Sequence, residues 1–363
     1  LVAQQRRPEG GNTERWDGLN DEGEPLPAGT YRWQGLVHDP IKMEYRFSVH
    51  NSGNPPFPTD DNTGGWGADH GEPTVTLAID GGMILAWDST EYGWGIIRTD
   101  LDGQKKWGSK RTAQYLATDG KRLFVAGGHG WSAAAGGVSV LELGTSRALN
   151  FQPGVERLPI PEGEGSGAVT GLACDGERIY VSYAHRNLIG VYDLKGNLAT
   201  QWQVPEPGRI DLRPGGGLVA FSGDSVVVVD DGKVTPLIEP LEAPRGLAVS
   251  EAGEIFIAQA GDIQQVRVFN AEGDPVRTIG KPGGRPAKGA YDPSGMYQPG
   301  GMDIDDRGRL WVAETTDFPK RISVWDTESG ENVEEYFGSS GYFAYGHIDP
   351  ANPDEILAHN VLW

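Results

Sequence analysis

Short apolar runs, bounded by Gly, Asp, Asn or Pro, recur along most of the 363-residue chain. Their alternation and their β-branched and aromatic content predict strands, because helical spacing would place apolar residues three and four positions apart. One run has the same form throughout: apolar residues ending in a small one. It reads MILAWDS (83–89), RLFVAGGHG (122–130), RIYVSYAHR (178–186), LVAFSGD (218–224), EIFIAQAGD (254–262), RLWVAETTD (309–317) and EILAHNVLW (355–363). Taking the position after the small residue as register gives Trp87, Gly127, Tyr183, Phe221, Gln259, Glu314 and His359, spaced by 38 to 56 residues.

Other strands repeat around this one. A preceding strand recurs as VTLAID (75–80), QYLATD (114–119), TGLACD (170–175), RGLAVS (245–250) and GGMDID (300–305). Following it, apolar runs interrupted by Asp or Asn and then Gly, as in IGVYDLKGNLATQW (189–202) and VRVFNAEGDPVRTIG (266–280), are hairpin signals. A four-stranded unit with a period of this size predicts an all-β propeller, seven-bladed by the number of copies, with a six-bladed ring as the alternative. The seventh copy is short, so a strand at 44–49 (EYRFSV) is expected to pair into the last blade and close the ring.

The stretches PRGLAVSEAGEIFIAQAGDIQQVRVFNAEGDPVRTIG (244–280) and QPGGMDIDDRGRLWVAETTDFPKRISVWDTESGENVEEYFG (298–338) resemble NHL repeats, and the likeness extends more loosely over 74–363. Residues 16–36, with Trp16-Asp17-Gly18, Asp21-Glu22-Gly23 and Pro27-Ala28-Gly29-Thr30-Tyr31, resemble the C-terminal hairpin of the immunoglobulin-like domain of flagellar hook-capping proteins. That resemblance implies an extracellular or cell-surface location. The expected organisation is a remnant immunoglobulin-like β segment at 1–40, a linker with the closing strand at 41–73, and the propeller at 74–363. The chain opens at Leu1 and closes inside a repeat, which reads as a portion of a longer multidomain protein.

Composition narrows the partners. A net charge of −20, from 51 Asp and Glu against 31 Lys and Arg, disfavours nucleic acid. No run approaches the roughly 18 apolar residues of a membrane helix, so no membrane insertion is expected. Cys174 is the single cysteine, which excludes a disulfide framework. HExxH, P-loop, GxSxG and dinucleotide-binding patterns are absent from the sequence.

Candidate chemistry follows from the loops that a propeller gathers around its axis. Trp87, Asp88, Trp131, Tyr183, Arg186 and Arg245 are the expected substrate-binding residues; Trp66 and Trp94 join Trp87 and Trp131 as loop aromatics for sugar faces, and Arg111 and Arg209 join Arg245 at the starts of first strands as arginines for a carboxylate or sulfate. Glu314 and His359 are the candidate general acid and base. His129, His185 and His359 fall in equivalent loops and would hold a divalent metal, zinc or calcium, as in some NHL-fold lyases. Asp60, Asp61, Asn62 and Asp69 offer oxygen ligands for calcium. The expected function is a secreted propeller that binds or acts on an extracellular carbohydrate at its axial face, as a lyase or hydrolase if it is an enzyme. The alternatives are a structural or protein-interaction module of a larger surface protein, and a metal-dependent lyase or lactonase for a small molecule.

Overall fold

The computed structural model describes residues 10–34, 47–48, 66–338 and 346–362, apart from residues 14, 92, 128–136, 288–290, 318, 350, 351, 359 and 360. The chain divides into two compact units, Leu1–Met43 and Glu44–Trp363. In the first, an antiparallel bridge joins Leu19 to Pro25, and Trp16 packs edge-on against Tyr31 with ring centroids 4.9 Å apart.

The second unit contains six four-stranded antiparallel sheets that form a closed ring. Their strands run from the axis outward in chain order, and the innermost are Pro73–Ile79, Tyr115–Thr118, Gly171–Cys174, Pro207–Leu212, Pro244–Val249 and Pro299–Ile304, in blades 1 to 6. Each inner strand packs beside the next, and that of blade 6 packs beside that of blade 1. Among the described residues no helix is long and apolar enough to cross a membrane.

Hairpin chemistry sets the outer half of each blade. In blade 3 the Asp193 carboxylate accepts the backbone N–H groups of Lys195 and Asn197, both at 2.9 Å, and Gly196 takes the left-handed conformation that closes the turn. In blade 5 Asn270 does the same for Glu272 and Asp274, with Gly273 at φ 88°.

Closure of the ring is a packing requirement, because both faces of a blade are apolar and only a neighbour can cover them. Six buried clusters result, one between each adjacent pair of blades. The cluster between blades 6 and 1 holds Trp66, Trp87, Trp311 and Tyr336; Tyr336 stacks on Trp311 at 5.3 Å and on Trp66 at 5.4 Å.

That contact corrects the expected blade number to six. The seventh copy does form a strand, Asn352–Ala358, but in a separate sheet ordered Phe47–Ser48, Val361–Leu362, Asn352–Ala358, Gly346–Asp349. Phe47 pairs with Leu362 and Ser48 with Val361, so the early strand meets the end of the chain without entering the ring. The physical reason is that blade 6 already covers the free face of blade 1. Ahead of the first strand of blade 1, Trp66 and Ala68 are fully buried in the cluster between blades 6 and 1.

Candidate binding site at the axial mouth

The six inner strands line a cavity of about 280 Å³, whose polar walls include Thr76, Tyr115, Cys174, Arg209, Asp211 and Asp303. Arg209 lies across it at the end where the inner strands begin. Its Nε donates to the carbonyl of Arg245 in blade 5 at 2.7 Å, and its two amino groups reach the carbonyls of Gln114 in blade 2 and Thr74 in blade 1, both at 3.4 Å. The guanidinium also sits 5.0 Å from the Tyr115 ring centroid. One side chain of blade 4 thus touches three other blades and obstructs entry from that end.

Further along the channel two carboxylates join neighbouring blades. Asp211 accepts the N–H of Val249 in blade 5 at 2.7 Å, and Asp303 accepts that of Ala78 in blade 1 at 2.8 Å. Each also accepts the next N–H of its own strand. Burial pushes the Asp211 carboxyl up to about 7, with a further contribution from the charge of Asp303. Burial raises Asp303 to about 6 against the opposing effect of its two backbone hydrogen bonds.

Charged groups from three blades meet at the mouth on the Arg209 side. Glu72, half-buried just before the first strand of blade 1, has its pKa raised by burial, then by the nearby carboxylates of Asp317 and Asp88; Arg245 and Lys320 oppose the shift. The backbone N–H of Glu72 donates to Asp88 Oδ1 at 3.0 Å. Lys320 of blade 6 is buried and donates to the carbonyls of Ala68 and Asp69, with its Nζ 3.6 Å from Asp317 Oδ1. Burial lowers the Lys320 pKa, while Asp317 and Asp69 counter the shift. Gly71 lets the entering segment lie flat on residues 88 and 89: a Cβ there would stand 2.2 Å from the Ser89 carbonyl oxygen and 2.6 Å from Asp88 Oδ1. The arrangement offers several carboxylate acceptors and one exposed guanidinium, Arg245, around a half-exposed floor.

The residues expected from the sequence separate sharply. Asp88 and Arg245 share the mouth with Glu72. Trp87 does not; it is fully buried between blades 6 and 1, at 5.7 Å from Trp66. Apolar burial claims this ring because the second strand runs through the middle of the blade and both its faces are covered. Tyr183 is buried for the same reason, its hydroxyl 3.0 Å from that of Tyr192, which donates to the Pro159 carbonyl at 2.7 Å.

Glu314 is also withdrawn from solvent, so it has no access to a substrate. Its two oxygens take Arg285 at 2.7 Å and Arg321 at 2.9 Å, and the Tyr297 N–H donates to it at 3.0 Å. Two buried guanidiniums and an amide occupy both its oxygens in an internal ion cluster, which is a structural task.

Arg186 is half-buried and donates to the Pro161 carbonyl, and His185 is exposed in the short turn Ala184–Arg186. His129, Trp131 and His359 lie outside the described residues, as do Asp60, Asp61 and Asn62, so the expected three-histidine site is represented by His185 alone. Trp94 is half-buried beneath the ammonium groups of Lys105 and Lys110, 5.2 and 5.3 Å from its centroid.

Sequence reasoning missed Glu72 and Lys320 at the mouth, and Asp211 and Asp303 in the channel. Glu72 carried a usable signal, its place just before a first strand, the same location that singled out Arg245.

No protein-family model matches the chain, and no curated protein is similar to it. Solved structures are similar in fold. A protein of unknown function from Bacteroides thetaiotaomicron superposes with a TM-score of 0.52 at 15% identity, over 77% of this chain and 74% of that one. A streptogramin B lyase structure superposes with a TM-score of 0.49 at 14% identity, over 82% of this chain and 94% of that one. At these identities the likeness concerns the β-propeller alone.

Proposed function

We propose that this β-propeller is a binding protein for a neutral, hydroxyl-rich carbohydrate, taken at the axial mouth by Glu72, Asp88, Asp317 and Arg245. The observation that carries the proposal is the convergence of carboxylates from blades 1 and 6 on one half-exposed spot, with Arg245 of blade 5 beside them. Carboxylates are acceptor-only groups, and the hydroxyls of a sugar are donors that satisfy them. The same charges repel uronic acid polymers, which narrows the ligand to neutral or amino sugars.

Binding is favoured over turnover because Glu314, the carboxylate suited by sequence to acid–base work, is consumed by two arginines. A secreted or surface location belongs to the same proposal and rests on the likeness of residues 16–36 to an immunoglobulin-like hairpin. A basic segment of another protein is the competing ligand, since the mouth and the net charge are both acidic.

A glycan panel read with the full chain and with Glu72→Gln and Asp88→Asn tests the proposal. Neutral or amino glycans should bind and lose at least tenfold in affinity in either variant, whereas uronates should not bind. Binding of basic peptides with no glycan bound would replace the carbohydrate reading by the protein-interaction one.

A further inference from the structure

The third strand of every ring blade runs into its hairpin turn at an acidic or amide residue: Asp100, Glu142, Asp193, Asp230, Asn270 and Asp326 in blades 1 to 6. Two positions earlier, blades 2 to 6 all carry valine, namely Val140, Val191, Val228, Val268 and Val324. Four of these valines are buried between blades. Blade 1 carries Arg98 instead.

Nothing in the fold compensates that charge. Arg98 is half-buried, and its Nε is sealed from solvent without a hydrogen-bond partner. Among the described residues no carbonyl accepts from its amino groups and no carboxylate pairs with it. A guanidinium in that setting loses hydration and gains no partner in exchange. Other arginines of similar burial are matched: Arg122 with Asp119, Arg277 with Glu254 and Arg309 with Asp305. A repeat broken without a compensating contact is the mark of a functional position.

Arg98 lines a cavity of about 630 Å³ on the face opposite the mouth, among the turns that follow the inner strands of blades 1, 2, 5 and 6. That size suits a small organic molecule, for which sites run to about 300–1,000 Å³. Lys121 of blade 2 is a second cation in the lining, exposed and without an ion pair among the described residues. The other charged groups there are Asp80, Glu251 and Asp306, all exposed and none paired with Arg98 or Lys121; Asp306 accepts the Gly81 N–H at 2.8 Å. Ile79, Leu143 and Ile304 supply apolar wall.

We propose that this cavity is a second binding site, for a small molecule that carries a carboxylate, a hydroxyl or ammonium on the adjacent carbon, and an apolar side chain. Arg98 and Lys121 take the carboxylate. The carboxylates of Asp80, Glu251 and Asp306 are acceptors for the donor group, and they repel ligands with several negative charges. The apolar side chain lies on Ile79, Leu143 and Ile304. α-Amino acids and α-hydroxy acids share this chemistry. The site uses none of the residues at the mouth and stands whether or not a glycan binds there.

Calorimetric titration of the full chain with phenylalanine and with 3-phenyllactate, each beside its amide, tests the site and separates the two sources. At least one of the acids should bind at one equivalent, and its amide, which lacks the carboxylate, at least tenfold more weakly. Binding of phenylalanine alone assigns the site to amino acids, and binding of phenyllactate alone to hydroxy acids. Arg98→Met and Lys121→Met should each weaken the acid at least tenfold, while Lys233→Met, at an exposed lysine of blade 4, should leave it unchanged. Since Lys121 is exposed, its variant decides the matter independently of any change in stability at Arg98. No binding of either acid, equal binding of acid and amide, or binding that survives both Arg98→Met and Lys121→Met overturns the proposal.

Discussion

The Thr76 hydroxyl donates to the carbonyl oxygen of Trp311 at 2.9 Å, across 235 residues of chain. Beside it the Ala78 N–H reaches Asp303 and the Gly81 N–H reaches Asp306, both at 2.8 Å, so blade 1 and blade 6 are tied along the length of their contact. Thr76 and the Trp311 ring are buried. Thr76→Val keeps the shape and deletes the donor. It should lower the unfolding free energy by about 1–3 kcal/mol in urea titrations; an unchanged midpoint would place no closing contact at this position.

Glu314 neutralises two guanidiniums that have almost no solvent of their own, Arg285 at 2% and Arg321 at 0% side-chain exposure. Glu314→Gln keeps the volume but removes the carboxylate that both guanidiniums share, leaving Arg321 its ion pair with Glu335 at 2.9 Å, and it should destabilise the fold by about 3–5 kcal/mol. Ligand affinity at the mouth should be unaffected in the fraction that remains folded. A variant of normal stability and lost function would instead restore the acid–base role that the sequence suggested.

The channel carboxylates give stability a definite pH slope. A carboxyl whose pKa is raised by folding binds its proton more tightly in the native state than in the unfolded chain, where the value is about 3.9. Its contribution is therefore complete below about pH 4 and is lost as pH rises through about 6 for Asp303 and about 7 for Asp211. Glu72 is shifted in the same direction. Carboxyls held low, such as Asp292 at about 2, act only in more acid solution. The melting temperature should fall between pH 5 and pH 8, and Asp211→Asn, which retains an acceptor for the Val249 N–H, should flatten that fall. A melting temperature that rises over this interval would contradict the assignment.

Gly71 has no room for a side chain, since a Cβ would meet the Ser89 backbone at 2.2 and 2.5 Å. Gly71→Ala should push the entering segment away from Asp88 and separate the acceptors of the mouth. Glycan affinity is expected to drop at least tenfold with a small loss of stability, measured on the same panel as the wild type; unchanged affinity would remove this segment from the site.

The repeat was legible because strand period, hairpin Gly and the apolar second strands are local patterns, and six of the seven second-strand copies lie in ring blades. Blade number was not, because it depends on which face meets which: the seventh copy shares the apolar pattern of the others, but Trp311 and Trp87 already share the last core. The candidate site divides along the same line. Asp88 and Arg245 lie in loops whose position follows from the repeat. Trp87 and Tyr183 end the second strands, where the pattern alone cannot tell a ring buried by a neighbouring blade from one facing a ligand. Asp211 and Asp303 interrupt apolar strands, and their side chains reach backbone amides of the next blade, a long-range pairing with no trace in local spacing.

The mouth exists only if blade 6 meets blade 1, which brings the Asp317 carboxylate within electrostatic reach of Glu72. Carbon-13 NMR titration of the Glu72 carboxyl in the wild type and in Asp317→Asn measures this directly. A closed six-bladed ring gives Glu72 a pKa above the usual glutamate range that falls when Asp317 loses its charge; an ordinary value, indifferent to that substitution, would mean that the two blades do not share the site.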